Sequence, residues 1–127
     1  MAKKKSLLQE RVVYKPFEYQ QAADYWLKQH QAHWLHTEVP MMSDLTDWNS
    51  NLSETEKNII GSILKGFAQT ETVVNDYWSG LVTKWFRKPE VIAMATTFGA
   101  FETIHAEAYS LLNETLGLEN FAEFMED

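Results

Sequence analysis

Glu102 and His105 stand three residues apart in the run Phe101-Glu102-Thr103-Ile104-His105, and Tyr109 follows four residues later. On a helix, residues three and four apart share one face, so a carboxylate, an imidazole and a phenol project from the same side, one turn after another. Upstream, Glu71 is the acidic member of an otherwise apolar helical stripe. Carboxylates and imidazole are the ligand types that bind divalent transition metals through oxygen and nitrogen lone pairs. An ionised carboxylate buried without a partner costs several kcal/mol. A divalent ion would neutralise Glu71 and Glu102 and use the lone pair of His105. Tyr109, a turn beyond His105, falls within reach of such a centre.

The elements that must position these side chains follow from the apolar spacing. Ser53 with Glu56 three residues on has the form of a capping box. It predicts a long helix running to about Phe86, with a stripe of Ile60, Leu64, Phe67, Val74, Trp78, Leu81 and Trp85 at alternating steps of three and four. Glu71 occupies the stripe position between Phe67 and Val74. Pro89 marks the start of a second long helix. Its stripe holds Val91, Ala95, Phe98, Glu102, His105, Tyr109, Leu112 and Leu116, and Gly117 is a plausible C-cap. The four polar residues therefore point where the apolar ones point, into the helix–helix seam. Two long helices joined by a short turn pack antiparallel, as in a bundle. With the turn near Arg87 to Pro89, Glu71 lies about 16 residues before it and Glu102 about 14 after it. At roughly 1.5 Å per residue these depths match to a few ångströms.

Elsewhere the pattern is plainer. Residues 1–15 read as an N-terminal arm, and residues 16–127 as one partial domain. Pro16 fits the first turn of a helix from Phe17 to Gln31. His33 to Asn51, with Pro40, Ser43, Asp44, Asp47, Asn49 and Asn51, reads as a loop with short turns. Glu119 to Asp127 reads as the start of another helix. No strand pattern is visible. The fold class is all-α.

Composition bounds the function. The chain has 127 residues and a net charge of −7, which argues against a nucleic-acid surface. Its one basic cluster, Lys3 to Lys5, reads as a solvated tail. Aromatic residues make up 13% of the chain, which argues against disorder. No segment has the apolar length of a membrane span, and no secretory signal is apparent. Without cysteine there is no disulfide, thiolate ligand or cysteine nucleophile. A cytoplasmic location is expected.

Several stretches together resemble the small, radical-generating subunit of class I ribonucleotide reductase. They are Gln69-Thr70-Glu71, Phe101-Glu102-Thr103-Ile104-His105, Tyr109-Ser110-Leu111-Leu112, the stretch from Trp34 to Glu38-Val39, and the helix start from Ser53 to Lys57. The resemblance covers most of residues 17 to 118 and implies a ferritin-like helical bundle, here only its N-terminal helices. It implies that Glu71, Glu102 and His105 are metal ligands. It also implies that Tyr109 is oxidised to a stable radical by an oxygen-activated metal pair, and that Trp34 belongs to the relay toward the large subunit. There ribonucleotides are reduced to deoxyribonucleotides at a cysteine of that other chain. The implied partners are the large subunit, a second copy in a homodimer, and the later part of the small subunit.

This sequence departs from the family's pattern in two places. Glu71 stands where the family usually has Asp, which leaves the metal pair open among two irons, manganese with iron, and two manganese ions. The family chain also supplies a further Glu and a further Glu-x-x-His from later helices, and a C-terminal docking tail. None of these is present here. A fragment, a product of a split or intein-interrupted gene, and a truncated reading frame all fit that pattern.

Two other readings compete. Two copies of the hairpin related by a two-fold axis would assemble Glu and Glu-x-x-His twice over, as a self-sufficient ferritin-like iron-oxidising protein. Alternatively, the chain is a non-enzymatic helical module whose apolar seam binds another chain. His30, His33 and His36 lie around the expected loop without companion carboxylates and read as solvated.

Overall fold

The computed structural model describes residues 6–118. Five α-helices follow one another: α1 (Gln20–Gln31), α2 (Met42–Ser50), α3 (Glu54–Asp76), α4 (Thr83–Trp85) and α5 (Pro89–Thr115). A one-turn 3-10 helix (His36–Glu38) precedes α2, and a π-helical stretch (Tyr77–Val82) joins α3 to α4. No strand occurs among the described residues, and the all-α expectation holds. Among them, no helix is long and apolar enough to cross a membrane.

Both ends of the long hairpin are capped as the sequence predicts. The Ser53 hydroxyl accepts the backbone N–H of Glu56, and the Glu56 carboxylate accepts the backbone N–H of Ser53 at 2.8 Å. The bonds donated by the Ser53 N–H and hydroxyl hold the Glu56 carboxyl below its usual value. At the other end, Gly117 adopts φ +76°, the left-handed conformation that glycine takes without a Cβ clash. The N–H of Leu118 then reaches back to the carbonyl of Asn113 at 2.7 Å and closes α5.

The described residues fall into two compact units, one of residues 6–33 with 74–102, the other of residues 34–73 with 103–118. The core of the first is Ala22, Val82, Val91 and Ala95, with Leu7, Tyr19, Trp78, Phe86 and Met94 packed around it. Burying Val82 and Val91 contributes about 1.5–3 kcal/mol each. The hairpin here is antiparallel: Trp78 meets Phe98 edge-on at 4.9 Å, while Asn75 donates its side-chain amide to the carbonyl of Gly99. A Cβ at Gly99 would stand 3.1 Å from that of Ser79, a tight contact that glycine avoids at this crossing.

A buried charge cluster ties the arm to the hairpin tip. The Glu90 side chain is fully buried, and Arg11 grips both its oxygens. The backbone N–H groups of Glu18 and Tyr19 also donate to it, at 2.9 and 3.0 Å. Lys88, itself buried, pairs with Glu18. Burial pushes the Glu90 carboxyl up, but the Arg11 guanidinium and the backbone N–H groups of Glu90, Tyr19 and Glu18 outweigh it and hold the pKa at about 2.

A carboxyl depressed in the folded state stabilises the fold above its unfolded value of 4.5. That contribution is lost as pH falls through the folded value. Urea midpoints should therefore drop between about pH 5 and pH 2. Arg11→Ala should lower the midpoint at pH 7 and flatten that acid dependence. A midpoint at pH 7 equal to that of the parent would show that the pair does not hold the arm.

In the second unit, Trp34, Val39 and Met41 line a shared cavity with His105, Tyr109 and Leu112 of α5. Phe67 meets Tyr109 with ring centroids 5.4 Å apart, and Glu71 meets His105, so the two helix segments are again antiparallel. Asn113 is fully buried, and its amide nitrogen and oxygen have no hydrogen-bond partner among the described residues.

Three expectations need correction. The stretch from His33 to Asn51 is not merely a loop, because α2 occupies nine residues of it. Met41 and Trp48 are buried with Leu45 between them, an apolar face two turns long that the flanking Asp and Asn residues obscure. The first helix starts at Gln20, not Phe17, and the N–H groups of Glu18 and Tyr19 just before it donate to Glu90. Pro16 follows a cis peptide bond and lies outside the helix. The stripe of the first long helix is also less buried than its spacing implies. The buried positions of this stretch, Gly61, Ala68 and Val82, each lie one residue beyond a stripe member, while Ile60, Phe67, Leu81 and Trp85 remain exposed. The helix expected from Glu119 lies outside the described residues.

Candidate metal centre

Helix α3 delivers Glu71 and helix α5 delivers Glu102, His105 and Tyr109. In the second unit, a Glu71 carboxylate oxygen lies 3.9 Å from His105 Nδ1. That is too long for a hydrogen bond. It suits two donors that share an ion, since ligand atoms about 2 Å from one metal lie roughly 3–4 Å from each other. The Glu71 side chain is 17% exposed and that of His105 40% exposed. Glu102 ends the first unit one turn before His105, on a helix that continues unbroken, so helical geometry keeps both on one face. All three are half-buried and are of the residue types that hold a metal ion. Their donor set, two carboxylates and one imidazole, fits iron or manganese and lacks the thiolates of a structural zinc site.

Tyr109 is half-buried one turn beyond His105, with its ring against Phe67. Trp34 is 38% exposed and stacks on the His105 ring, with centroids 5.9 Å apart and planes 22° apart. Thus the second unit brings together Glu71, His105, Tyr109 and Trp34. His30 and His33, by contrast, pack against Phe101 as ring contacts.

Sequence reasoning missed Glu38, whose carboxylate accepts the backbone N–H of Leu35, and the buried Asn113. The first had a readable signal, since a Glu three residues after a chain reversal commonly accepts backbone N–H groups. The second had none, because a single Asn near a helix end looks solvated.

A family model for the ribonucleotide reductase small chain matches residues 11–126. The chain belongs to the ribonucleotide reductase small-chain family. A probable ribonucleoside-diphosphate reductase small subunit of Invertebrate iridescent virus 6 is 36% identical over 94% of this chain. That of Invertebrate iridescent virus 3 is 38% identical over 94%. The ribonucleoside-diphosphate reductase small chain 1 of Saccharomyces cerevisiae is 29% identical over 91%. These matches cover 34%, 32% and 30% of the relatives, so the chain spans about a third of their length. The helical architecture agrees with the ferritin-like fold of the family. The Glu71 carboxylate beside the His105 imidazole agrees with its di-metal chemistry.

Proposed function

We propose that this chain forms the part of a ribonucleoside-diphosphate reductase small subunit that contributes half of a di-metal carboxylate site. In this reading Glu71, Glu102 and His105 are ligands, Tyr109 is the residue oxidised to a radical, and Trp34 relays that oxidation toward the large subunit. The observation that carries it is the contact of Glu71 with His105, with Glu102 and Tyr109 one turn to either side on α5. Membership of the family supports the same reading. The matching relatives are named as small subunits of a ribonucleoside-diphosphate reductase. The partners are then the large subunit, a second small subunit, and the region that completes the ligand set.

Bound iron or manganese would supply one-electron oxidation driven by dioxygen. The chain's own residues do the rest. Glu71 and Glu102 bring negative charge that offsets the cations. Helical spacing holds the Tyr109 phenol one turn from the His105 imidazole. Phe67 covers one side of the Tyr109 ring and limits the approach of water. Trp34, stacked on His105, offers an indole between the ligand set and solvent. The longer Glu71 side chain, where the family usually has Asp, leaves manganese with iron beside two irons or two manganese ions.

Metal content and mass after anaerobic loading with iron and manganese test this. The measurement is made with and without a chain carrying a later Glu and Glu-x-x-His set. About two metals bound only with the second chain is the expected result. Two metals per homodimer without it would favour a ferritin-like oxidase and reduce Tyr109 to a packing residue. No metal in either case would remove the ligand assignment.

A further inference from the structure

The indole of Trp34 lies against His105, yet little packing keeps it there. The indole and the His105 ring both line a cavity of about 230 Å³, together with Val39, Met41, Ala108 and Tyr109. The neighbours that follow Trp34 do not anchor it either, since Leu35 is 44% and Val39 43% exposed. A ring with open space beside it and exposed chain after it must be held through its backbone.

The backbone here carries one specific restraint. The N–H of Leu35 donates to Glu38 Oε2 at 2.6 Å. The N–H of Glu38 donates back to the carbonyl of Leu35 at 2.9 Å, and that of Val39 to the carbonyl of His36 at 3.3 Å. Together these bonds close the 3-10 turn His36–Glu38, with Leu35 extended at φ −115°, ψ 148°. A three-residue helix has too few internal bonds to hold itself. The N–H that Glu38 accepts belongs to the peptide plane joining Trp34 to Leu35. Fixing that plane fixes the Trp34 carbonyl and Cα, and with them the point from which the side chain leaves the turn.

We infer that Glu38 is a positioning residue, which holds Trp34 against His105 by accepting the Leu35 N–H and closing the turn between them. The carboxylate touches neither the indole nor the ligands. It acts through the backbone, and the same turn places Val39 on the cavity wall. The functional weight of this device rests on the proposed relay role of Trp34, whereas the device itself does not.

Proton NMR of the full chain tests it without metal or turnover. The readout is the cross-relaxation signal between the Trp34 indole and the His105 ring, assigned with Trp34→Phe. Glu38→Ala should lose the signal while far-UV circular dichroism stays unchanged, because the turn it closes is only three residues long. Glu38→Gln should retain it, since the carboxamide oxygen still accepts the Leu35 N–H. Glu54→Ala, at an exposed helix start, should leave it intact. A full signal in Glu38→Ala overturns the proposal, and so does its loss in Glu38→Gln. Failure of the relay reading shows separately, as normal nucleotide reduction by Trp34→Phe in the assembled enzyme.

Discussion

Replacing Glu102 by alanine should abolish tight metal binding in the assembled protein, lowering affinity by at least about 100-fold. Mutating a mere outer-shell partner of a metal ligand already costs 10–100-fold, and Glu102 is proposed as a direct ligand. The fold should survive. Glu102 lies in the middle of a 27-residue helix, is only half-buried, and alanine is the best helix former. Glu102→Gln separates charge from shape. It keeps the length and an oxygen donor but lacks the negative charge that offsets a cation, so it should also bind weakly. The measurement is metal stoichiometry after dialysis, alongside circular dichroism to confirm unchanged helix content. Stoichiometric metal in Glu102→Ala would eliminate Glu102 as a ligand.

Much of this candidate site was legible in the sequence because helical phase is a local property. Glu102, His105 and Tyr109 share a face whatever the rest of the chain does, and an unbroken α5 was enough to realise that spacing. Glu71 required more. Its meeting with His105 depends on the hairpin turn falling near Pro89, which proline's place at a helix start made readable. The π-helical stretch Tyr77–Val82 was not readable, because its apolar and small residues suit an α-helix equally well.

The charge cluster was hidden for a different reason. Arg11 and Glu90 are 79 residues apart, and nothing in the spacing of either announces a partner. Yet two N–H groups of that cluster, those of Glu18 and Tyr19, lie just before the start of α1, later than Pro16 signals. Helix α2 was obscured because its buried face is only Met41, Leu45 and Trp48, set among residues that favour turns. The stripe of α3 failed most instructively. Periodicity names a face, but which members are enclosed depends on what covers them. Here the small Gly61 and Ala68 are buried while the neighbouring Ile60 and Phe67 stay exposed.

Tyr109→Phe should leave metal binding intact and remove the tyrosyl radical signal, taking nucleotide reduction to the assay background. The substitution keeps the ring and its contact with Phe67, and loses only the hydroxyl whose O–H bond must be oxidised. A fall in metal content would therefore contradict the assigned role as much as a surviving radical would. Exposure argues for this position among the five tyrosines of the chain. Tyr14, Tyr25 and Tyr77 are 62%, 43% and 43% exposed, so water and reductants would reach an oxidised phenol there. Tyr19 is half-buried but packs with the core of the first unit, near the Lys88 ammonium group. Tyr109 combines partial burial with a place one turn from the proposed ligand His105. Electron paramagnetic resonance of the assembled, oxygen-exposed protein decides the matter. A tyrosyl signal in Tyr109→Phe would move the radical to another tyrosine, with Tyr19 the next to replace. Its loss with metal retained would separate the reductase reading from a ferritin-like oxidase, whose metal oxidation needs no phenol at that place.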